Sequence, residues 1–208
     1  MSTRRRLYSR LIDGAALIYS SGILSEALLG WKLDPRFTLL SELAAKDREH
    51  RRIFQASDLI AGSLFVAAGA TAPAHAPVLL RTCLKIFGIA TIADALSPLD
   101  YPISHDHLRP EAQGYPGHRT LSHYSHYLTT TVAGVAATGV CLHDWQAHRF
   151  QKGSLRKFAG PAVIAAQVAG IASLSSEKLL PGAVQRIQTL GFTLLCWEIA
   201  RHDKQVAR

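Results

Sequence analysis

The chain has 208 residues, which is enough for one domain or a single helical bundle. Hydrophobic residues make up 48%, near the globular average, but charged residues make up only 18%, below the roughly 25% of soluble domains. The formal net charge is +8, yet the basic residues lie beside apolar stretches and not along a helix face with interleaved aromatics. This pattern argues against nucleic-acid binding and favours anchoring beside anionic lipid.

Six apolar stretches predict an all-α, polytopic membrane bundle that occupies residues 1–208 as a single domain. Each is near the ~20 residues that a bilayer core requires, and their Ala, Gly, Ser and Thr suit helices packed mainly against other helices. The first follows a run of arginines and has no convincing cleavage site, so we expect it to be retained. The predicted transmembrane helices cover about residues 11–30, 58–76, 78–97, 126–143, 159–176 and 185–200.

Basic residues between these stretches predict the orientation. Arg and Lys are concentrated in the N-terminus, the 144–158 connector and the C-terminal tail, which six spans place on one side. We therefore expect a multi-pass protein of the cell membrane with both termini cytoplasmic (N-in/C-in). The 31–57 loop is also basic, but we place it outside. Its Ala, Leu, Glu and Arg predict a short amphipathic helix at the membrane surface, with Ser41 as a plausible N-cap.

Ionisable residues collect towards the predicted outer face, and such groups at membrane depth usually mark function. Asp94 lies about one turn before Pro98 ends the third span. An unpaired carboxylate there would neutralise or find a partner, so Asp94 belongs to a functional site, caps a neighbouring helix or pairs with Arg186. Asp100 follows in the next loop and is within reach of the same region.

Two histidines open the fourth span. His123 and His126 are three residues apart and therefore share one helix face. With Asp94 or Asp100 opposite, the two histidines are predicted to bind a metal, because imidazole and carboxylate suit Zn²⁺, and a metal-bound water is a nucleophile at neutral pH. The predicted metal ligands are His123, His126 and Asp94. Interfacial His and Tyr beside lipid headgroups explain much of the same run without a metal. The predicted catalytic residues are Asp94, Asp100, His118, His123 and His126.

Three further residues are predicted to bind substrate at the same face: Glu26, Ser41 and Arg186. Glu26 lies near the outer end of the first span and adds another carboxylate. Arg186 lies at the outer end of the sixth span, where it is expected to pair with Asp94, Asp100 or an anionic lipid group.

Four short elements together resemble a known family. They are Ser41-Glu42-Leu43 before the second span, Asp94…Pro98…Asp100 at the exit of the third, His123-x-x-His126 at the entry of the fourth, and Gln185-Arg186 in the sixth. In this order, and over most of the chain, they are similar to the six-span bacterial and archaeal membrane family called domain of unknown function 998. The resemblance implies an integral membrane protein and no particular activity.

That family also differs from this chain in one loop. Members often have cysteines after the third span, where this sequence has Tyr101 and His105-Asp106-His107, so no disulfide is expected there. A looser likeness is to the alkaline ceramidase and adiponectin-receptor group, whose seven-span members use Ser, Asp and His around an intramembrane zinc. The span count differs, and the HxxxH of a last helix is absent.

Two classes of function remain open. One is a membrane-embedded hydrolase or lipid-modifying enzyme, in which metal-activated water or a His general base attacks an ester, amide or phosphoester of a lipid-like substrate. The other is a non-enzymatic carrier, sensor or accessory subunit, in which the histidines sense external pH or bind a small ligand. A soluble all-helical bundle is a third alternative. Membrane lipid is the expected partner, a protein partner is open, and the oligomeric state is not predicted.

Overall fold

The computed structural model of the protein describes residues 3–74, 76–104, 119–150 and 155–205. These residues form six α-helices and three short 3₁₀ helices, without a strand among them. The predicted all-α fold with six helices is therefore confirmed. The α-helices are α1 (Thr3–Leu28), α2 (Arg51–Thr71), α3 (Val78–Leu96), α4 (Leu121–His148), α5 (Ala159–Ser173) and α6 (Pro181–Gln205), and the 3₁₀ helices are Leu40–Ala44, Leu155–Phe158 and Glu177–Leu179.

The helices form a closed ring. Each packs against the next in sequence, and α6 returns to pack against α1. A very close approach joins α2 to α3, where a Cβ added to Gly62 would lie 2.6 Å from the carbonyl oxygen of Gly88. Only glycine permits backbones to approach this closely, as in the small-residue interfaces of membrane helices.

Four aromatic side chains pack against one another inside the helical bundle. Tyr19 of α1, Phe65 of α2, Phe87 of α3 and Phe192 of α6 contact one another, with centroids 4.8 Å apart for Phe87 and Phe192 and 5.0 Å apart for Phe65 and Phe87. Edge-on and tilted pairs of this kind add to the stability gained from burial alone. The cluster packs four of the six helices against one another.

Two of the described helices, α1 and α2, are long and apolar enough to cross a bilayer by length and composition. The others are more polar or shorter. α3, for example, has 19 residues and includes Arg81, Lys85 and Asp94.

The first long loop differs from its prediction. Its short helix is the 3₁₀ helix Leu40–Ala44, and this helix packs into the bundle, with Glu42 and Leu43 buried, instead of lying on the surface. The prediction of Ser41 as N-cap is wrong. The carboxylate of Glu42 accepts a hydrogen bond from the Leu39 amide at 3.0 Å, because the tighter 3₁₀ turn brings this side chain back over the helix start.

Candidate functional site

The two predicted binding residues Glu26 and Arg186 form a buried ion pair between α1 and α6. Arg186 Nη2 lies 2.7 and 2.6 Å from the two carboxylate oxygens of Glu26, and Nε lies 3.0 Å from Oε2. Arg186 Nη1 donates to the carbonyl oxygens of Pro35, Thr38 and Gly182 at 2.8–2.9 Å. All three guanidinium nitrogens therefore have partners.

The predicted pairing of Arg186 with Asp94 or Asp100 is wrong. α6 packs against α1 and α5, whereas α3 packs against α2 and α4. Glu26 on the adjacent helix is therefore the carboxylate within reach. A bidentate pair of this kind is strongly oriented, and breaking it leaves a buried charge without a partner.

Glu42 ties two loops together. One carboxylate oxygen accepts the amides of Ile103 and Ser104 at 2.7 and 2.6 Å, and the other accepts the Leu39 amide and the Ser104 hydroxyl. Burial raises the pKa of Glu42, while the hydrogen bonds from Ser104 and from the Leu39 and Ile103 amides act in the opposite direction. The Ser41-Glu42-Leu43 element therefore acts as a clamp that connects the loop before α2 to the loop after α3.

Asp100 organises the start of α4. Its carboxylate accepts hydrogen bonds from the Thr120 amide at 2.7 Å and the Thr120 hydroxyl, and Lys46 Nζ lies 2.6 Å away. Partial burial raises the pKa of Asp100, but the hydrogen bonds from Lys46 and Thr120 and the charge of Lys46 outweigh it and lower the pKa to about 2. Asp100 is therefore an ionised capping group.

His123 is held by the same network. The Asp100 amide donates to His123 Nδ1 at 3.2 Å, and Nε2 lies 2.9 Å from the Tyr127 hydroxyl. A ring nitrogen that accepts a backbone N–H carries no proton, so the imidazole is neutral and its Nε2–H donates to Tyr127. Both ring nitrogens are used inside the protein. We call Glu26, Glu42, Asp100, His123 and Arg186 the polar cap.

Asp94 and His126 form a separate pair between α3 and α4. His126 Nδ1 lies 3.1 Å from Asp94 Oδ1. The same oxygen accepts hydrogen bonds from the hydroxyls of Thr129 at 2.6 Å and Thr130 at 2.9 Å. Asp94 thus bridges to α4 without capping a helix.

The predicted metal ligands are divided between these two pairs. His123 is paired with Asp100 and Tyr127, and His126 is paired with Asp94. Within the described residues, no three His, Cys, Asp or Glu side chains gather into a metal-binding group. His118 lies outside the described residues, so its role and the Zn²⁺ site remain predictions.

A cavity of about 140 Å³ lies inside the ring, and all six helices line it. Its apolar wall is aromatic, with Phe54, Phe87 and Phe192. Among the described residues that line it, none is a lysine, arginine or histidine. Its polar lining side chains are Tyr19, Ser41, Ser57, Asp58, Thr91, Asp94, Thr130, Gln167, Gln185, Gln188 and Thr189.

Several of these polar side chains form hydrogen bonds within the bundle. Gln185 Oε1 accepts the Leu40 amide at 2.6 Å. Gln167 Oε1 accepts the Thr138 hydroxyl at 2.6 Å. Asp94 is bound by α4 as described above. Asp58 differs from them, because its carboxylate makes no hydrogen bond or ion pair with any residue in the described part of the chain.

The structure therefore places the predicted site residues in two environments. Asp94 and Ser41 line the cavity, whereas Glu26, Asp100, His123 and Arg186 belong to the polar cap. Four further residues line the cavity without having been predicted as site residues: Asp58, Tyr19, Gln167 and Gln188. A useful signal was present, because Asp58, Gln167 and Gln188 are polar residues within the predicted spans, where such side chains are costly and usually face the bundle interior.

Comparison with known proteins identifies a family. No curated protein and no solved structure matches the chain. The family described as "Protein of unknown function (DUF998)" matches residues 14–201. This range runs from α1 into α6 and includes the polar cap and the whole cavity lining. The match confirms the resemblance drawn from the four short elements, and the chain belongs to the DUF998 family.

Proposed function

We propose that this protein is a six-span integral membrane protein that binds a small polar molecule in the central cavity, as a carrier or sensor. The observation that carries the proposal is the cavity itself, because polar side chains from all six helices converge on one concave space. Binding sites are concave and combine apolar walls with a few convergent polar groups. Polar groups that face inward are also the arrangement expected of helices surrounded by lipid.

The outer surface of the ring supports the membrane assignment. Each helix exposes large apolar side chains, and extensive exposed apolar surface on a chain marks contact with lipid or another protein. These apolar side chains are distributed around the whole bundle. A single protein partner would cover only part of them, whereas surrounding lipid would cover them all. One exposed side chain from each of the six helices illustrates the pattern: Leu24, Ile60, Ile89, Val135, Ile171 and Ile187.

In this proposal the four helices that are shorter or more polar than a typical bilayer span also cross the bilayer. Their polar residues face inward, as Asp94 and Gln167 do, so lipid contacts the apolar face alone. The arginines and lysines of the N-terminus, the 144–158 connector and the tail then lie in the cytoplasm. The polar cap and the 3₁₀ helix Leu40–Ala44 lie at the outer end.

A hydrolase is the second candidate, and the Asp94–His126 pair favours it. Asp94 is on the cavity wall with His126 Nδ1 3.1 Å away. A carboxylate beside an imidazole is a common arrangement for moving a proton. A lipid-like substrate and a zinc-bound water remain predictions of this alternative.

The first test is membrane insertion. We expect the protein to resist extraction by carbonate, and reporter fusions after residues 50, 104 and 180 to report the outer side. Fusions after residues 76, 150 and 205 should report the cytoplasm. Release by carbonate, or a pattern that does not alternate, would contradict the six-span proposal.

The second test measures access to the cavity. The three native cysteines are buried and are replaced by alanine, and single cysteines are then introduced at Ala133, which lines the cavity, and at the outward Val135. We expect the small neutral reagent methyl methanethiosulfonate to modify Ala133→Cys, and Gly134→Leu to block that reaction. A Cβ at Gly134 meets no atom within 4 Å, so the leucine is accommodated. Modification unaffected by Gly134→Leu would contradict the cavity site.

A further inference from the structure

We infer that the central cavity binds a small organic cation with an ammonium group, held between Asp58 and Asp94. The inference rests on the proposed function of the cavity and names the class of its ligand. It follows from the charge of the lining, the lack of a partner for Asp58 and the aromatic wall.

The charge of the lining has one sign. Asp58 and Asp94 are the two carboxylates on the cavity wall, and no basic side chain accompanies them among the described lining residues. Asp58 comes from α2 and Asp94 from α3, which are in backbone contact at Gly62 and Gly88. Two carboxylates on adjacent helices that face one space create a negative potential there, and a cation is the ligand that this potential attracts.

The two carboxylates have different partners. Asp94 accepts hydrogen bonds from Thr129 and Thr130 and has His126 beside it. Asp58 has no such bond within the described part of the chain. A carboxylate withdrawn from bulk water without a partner is costly, and a ligand cation supplies the missing partner. Asp58 is therefore the primary counter-ion, and Asp94 the second.

The remaining lining favours an organic cation over a metal ion. Tyr19, Phe54, Phe87 and Phe192 present aromatic rings to the cavity, and ring faces attract ammonium groups. A hard metal ion needs about six oxygen ligands at short range, whereas a volume of about 140 Å³ accommodates several heavy atoms.

The glutamines indicate a second feature of the ligand. Gln185 Oε1 is occupied by the Leu40 amide, which leaves the Gln185 amide N–H groups as donors. These donors suit a hydroxyl or carbonyl oxygen. An amino alcohol such as ethanolamine combines both features and serves as the probe.

Charge-selective modification of Ala133→Cys tests the inference. The cysteine variant is treated separately with neutral, cationic (aminoethyl) and anionic (sulfonatoethyl) methanethiosulfonates. We expect the cationic reagent to react at least about tenfold faster than the anionic one, because the negative cavity concentrates cations. Asp58→Asn should bring this ratio close to that of the free reagents. Glu198→Gln removes an exposed carboxylate at the far end of α6 and should leave the ratio unchanged.

Calorimetry with the protein in nanodiscs gives an independent measurement. We expect ethanolamine to bind, and Asp58→Asn to weaken its binding at least about tenfold, as loss of a close charge partner does. Glucose and acetate should not bind. Since Asp58 makes no hydrogen bond with a described residue, the asparagine variant is expected to fold.

The outcomes separate the two proposals. If the neutral reagent modifies Ala133→Cys but the cationic and anionic reagents react equally, the cavity is accessible and the cation inference is wrong. Binding of acetate or glucose in place of ethanolamine has the same meaning. If the neutral reagent does not react at all, the proposed binding cavity itself is wrong.

Discussion

Carboxylates of the polar cap and of the cavity differ in how many hydrogen bonds they accept. In the polar cap, each carboxylate oxygen of Glu26 and Glu42 accepts at least one hydrogen bond. In the cavity, Asp58 accepts none from the described residues. Polar groups whose hydrogen bonds are satisfied within the protein hold the chain in place, whereas a polar group in a cavity without such a bond is available to a ligand. The polar cap therefore has a structural role, and the difference supports the proposal that the cavity binds a ligand.

The largest expected effect comes from breaking the Glu26–Arg186 pair. Arg186→Met leaves the Glu26 carboxylate buried without its partner and should lower the free energy of unfolding by about 3–5 kcal/mol. The measurement is thermal unfolding in detergent. The double variant Glu26→Gln, Arg186→Met removes both charges and should recover most of the loss. A single variant as stable as the parent would contradict the structural role of the pair.

Glu42→Gln should have a smaller effect. It removes the charge and one of the two acceptor oxygens that hold Leu39, Ile103 and Ser104, which should cost about 2 kcal/mol. Glu49→Gln is the matched control, because Glu49 is exposed and pairs with Lys32 at the surface. Equal unfolding temperatures for the two variants would show that the clamp contributes no stability.

Asp100 gives a pH-dependent prediction. Its pKa in the folded protein is about 2, below the ordinary value of about 3.9. Its contribution to stability is therefore present above about pH 4 and is lost as the pH falls from about 4 to about 2. Asp100→Asn removes the charge that pairs with Lys46 and should cost up to about 1 kcal/mol of stability at neutral pH.

Unfolding temperatures at pH 6, 4, 3 and 2.5 test this dependence. Other carboxylates titrate in the same window, so the informative quantity is the difference between the parent and Asp100→Asn. That difference should shrink as the pH falls. A difference that stays constant from pH 6 to pH 2.5 would show that Asp100 is not held in its ionised form by Lys46 and Thr120.

The smallest expected effect on the free energy of unfolding is neutral or stabilising, whereas the variants above are destabilising. Asp58→Asn removes an unpartnered carboxylate and should leave the ligand-free protein as stable as the parent or up to about 1 kcal/mol more stable. Asp94→Asn is the contrasting variant, because it weakens the hydrogen bonds from Thr129 and Thr130 and should be destabilising. If Asp58→Asn destabilises the protein as much as Asp94→Asn, Asp58 has a structural role.

Much of the fold was predictable because its signals are local. The apolar stretches indicate six helices, although α4 begins at Leu121 and ends at His148, beyond the predicted 126–143. The ends differ because polar residues such as Ser122 and Asp144 continue the helix outside the apolar stretch. The 3₁₀ packing of Leu40–Ala44 was not predictable, since it depends on contacts with Gln185 and Ser104, which are distant in sequence.

The candidate site was only partly predictable. In-span carboxylates and paired histidines draw attention to Asp94, Asp100 and His123 from residue type alone. Which of these residues line the same cavity depends on how each helix is rotated about its axis and on which helices are neighbours in the bundle. The polar cap takes up Asp100 and His123, while Asp94 faces the cavity with Asp58.

The amino-acid sequence by itself determined the helical class, the number of helices and the family, because apolar periodicity and short motifs are local properties of the chain. Only the tertiary structure decided which polar side chains pair with each other. Glu26 and Arg186 are 160 residues apart, and they meet because α6 closes the ring against α1. The same closure encloses Asp58 and Asp94 in one cavity. Long-range packing, such as the contact of Gly62 with Gly88, sets these rotations, and no single stretch of sequence encodes them.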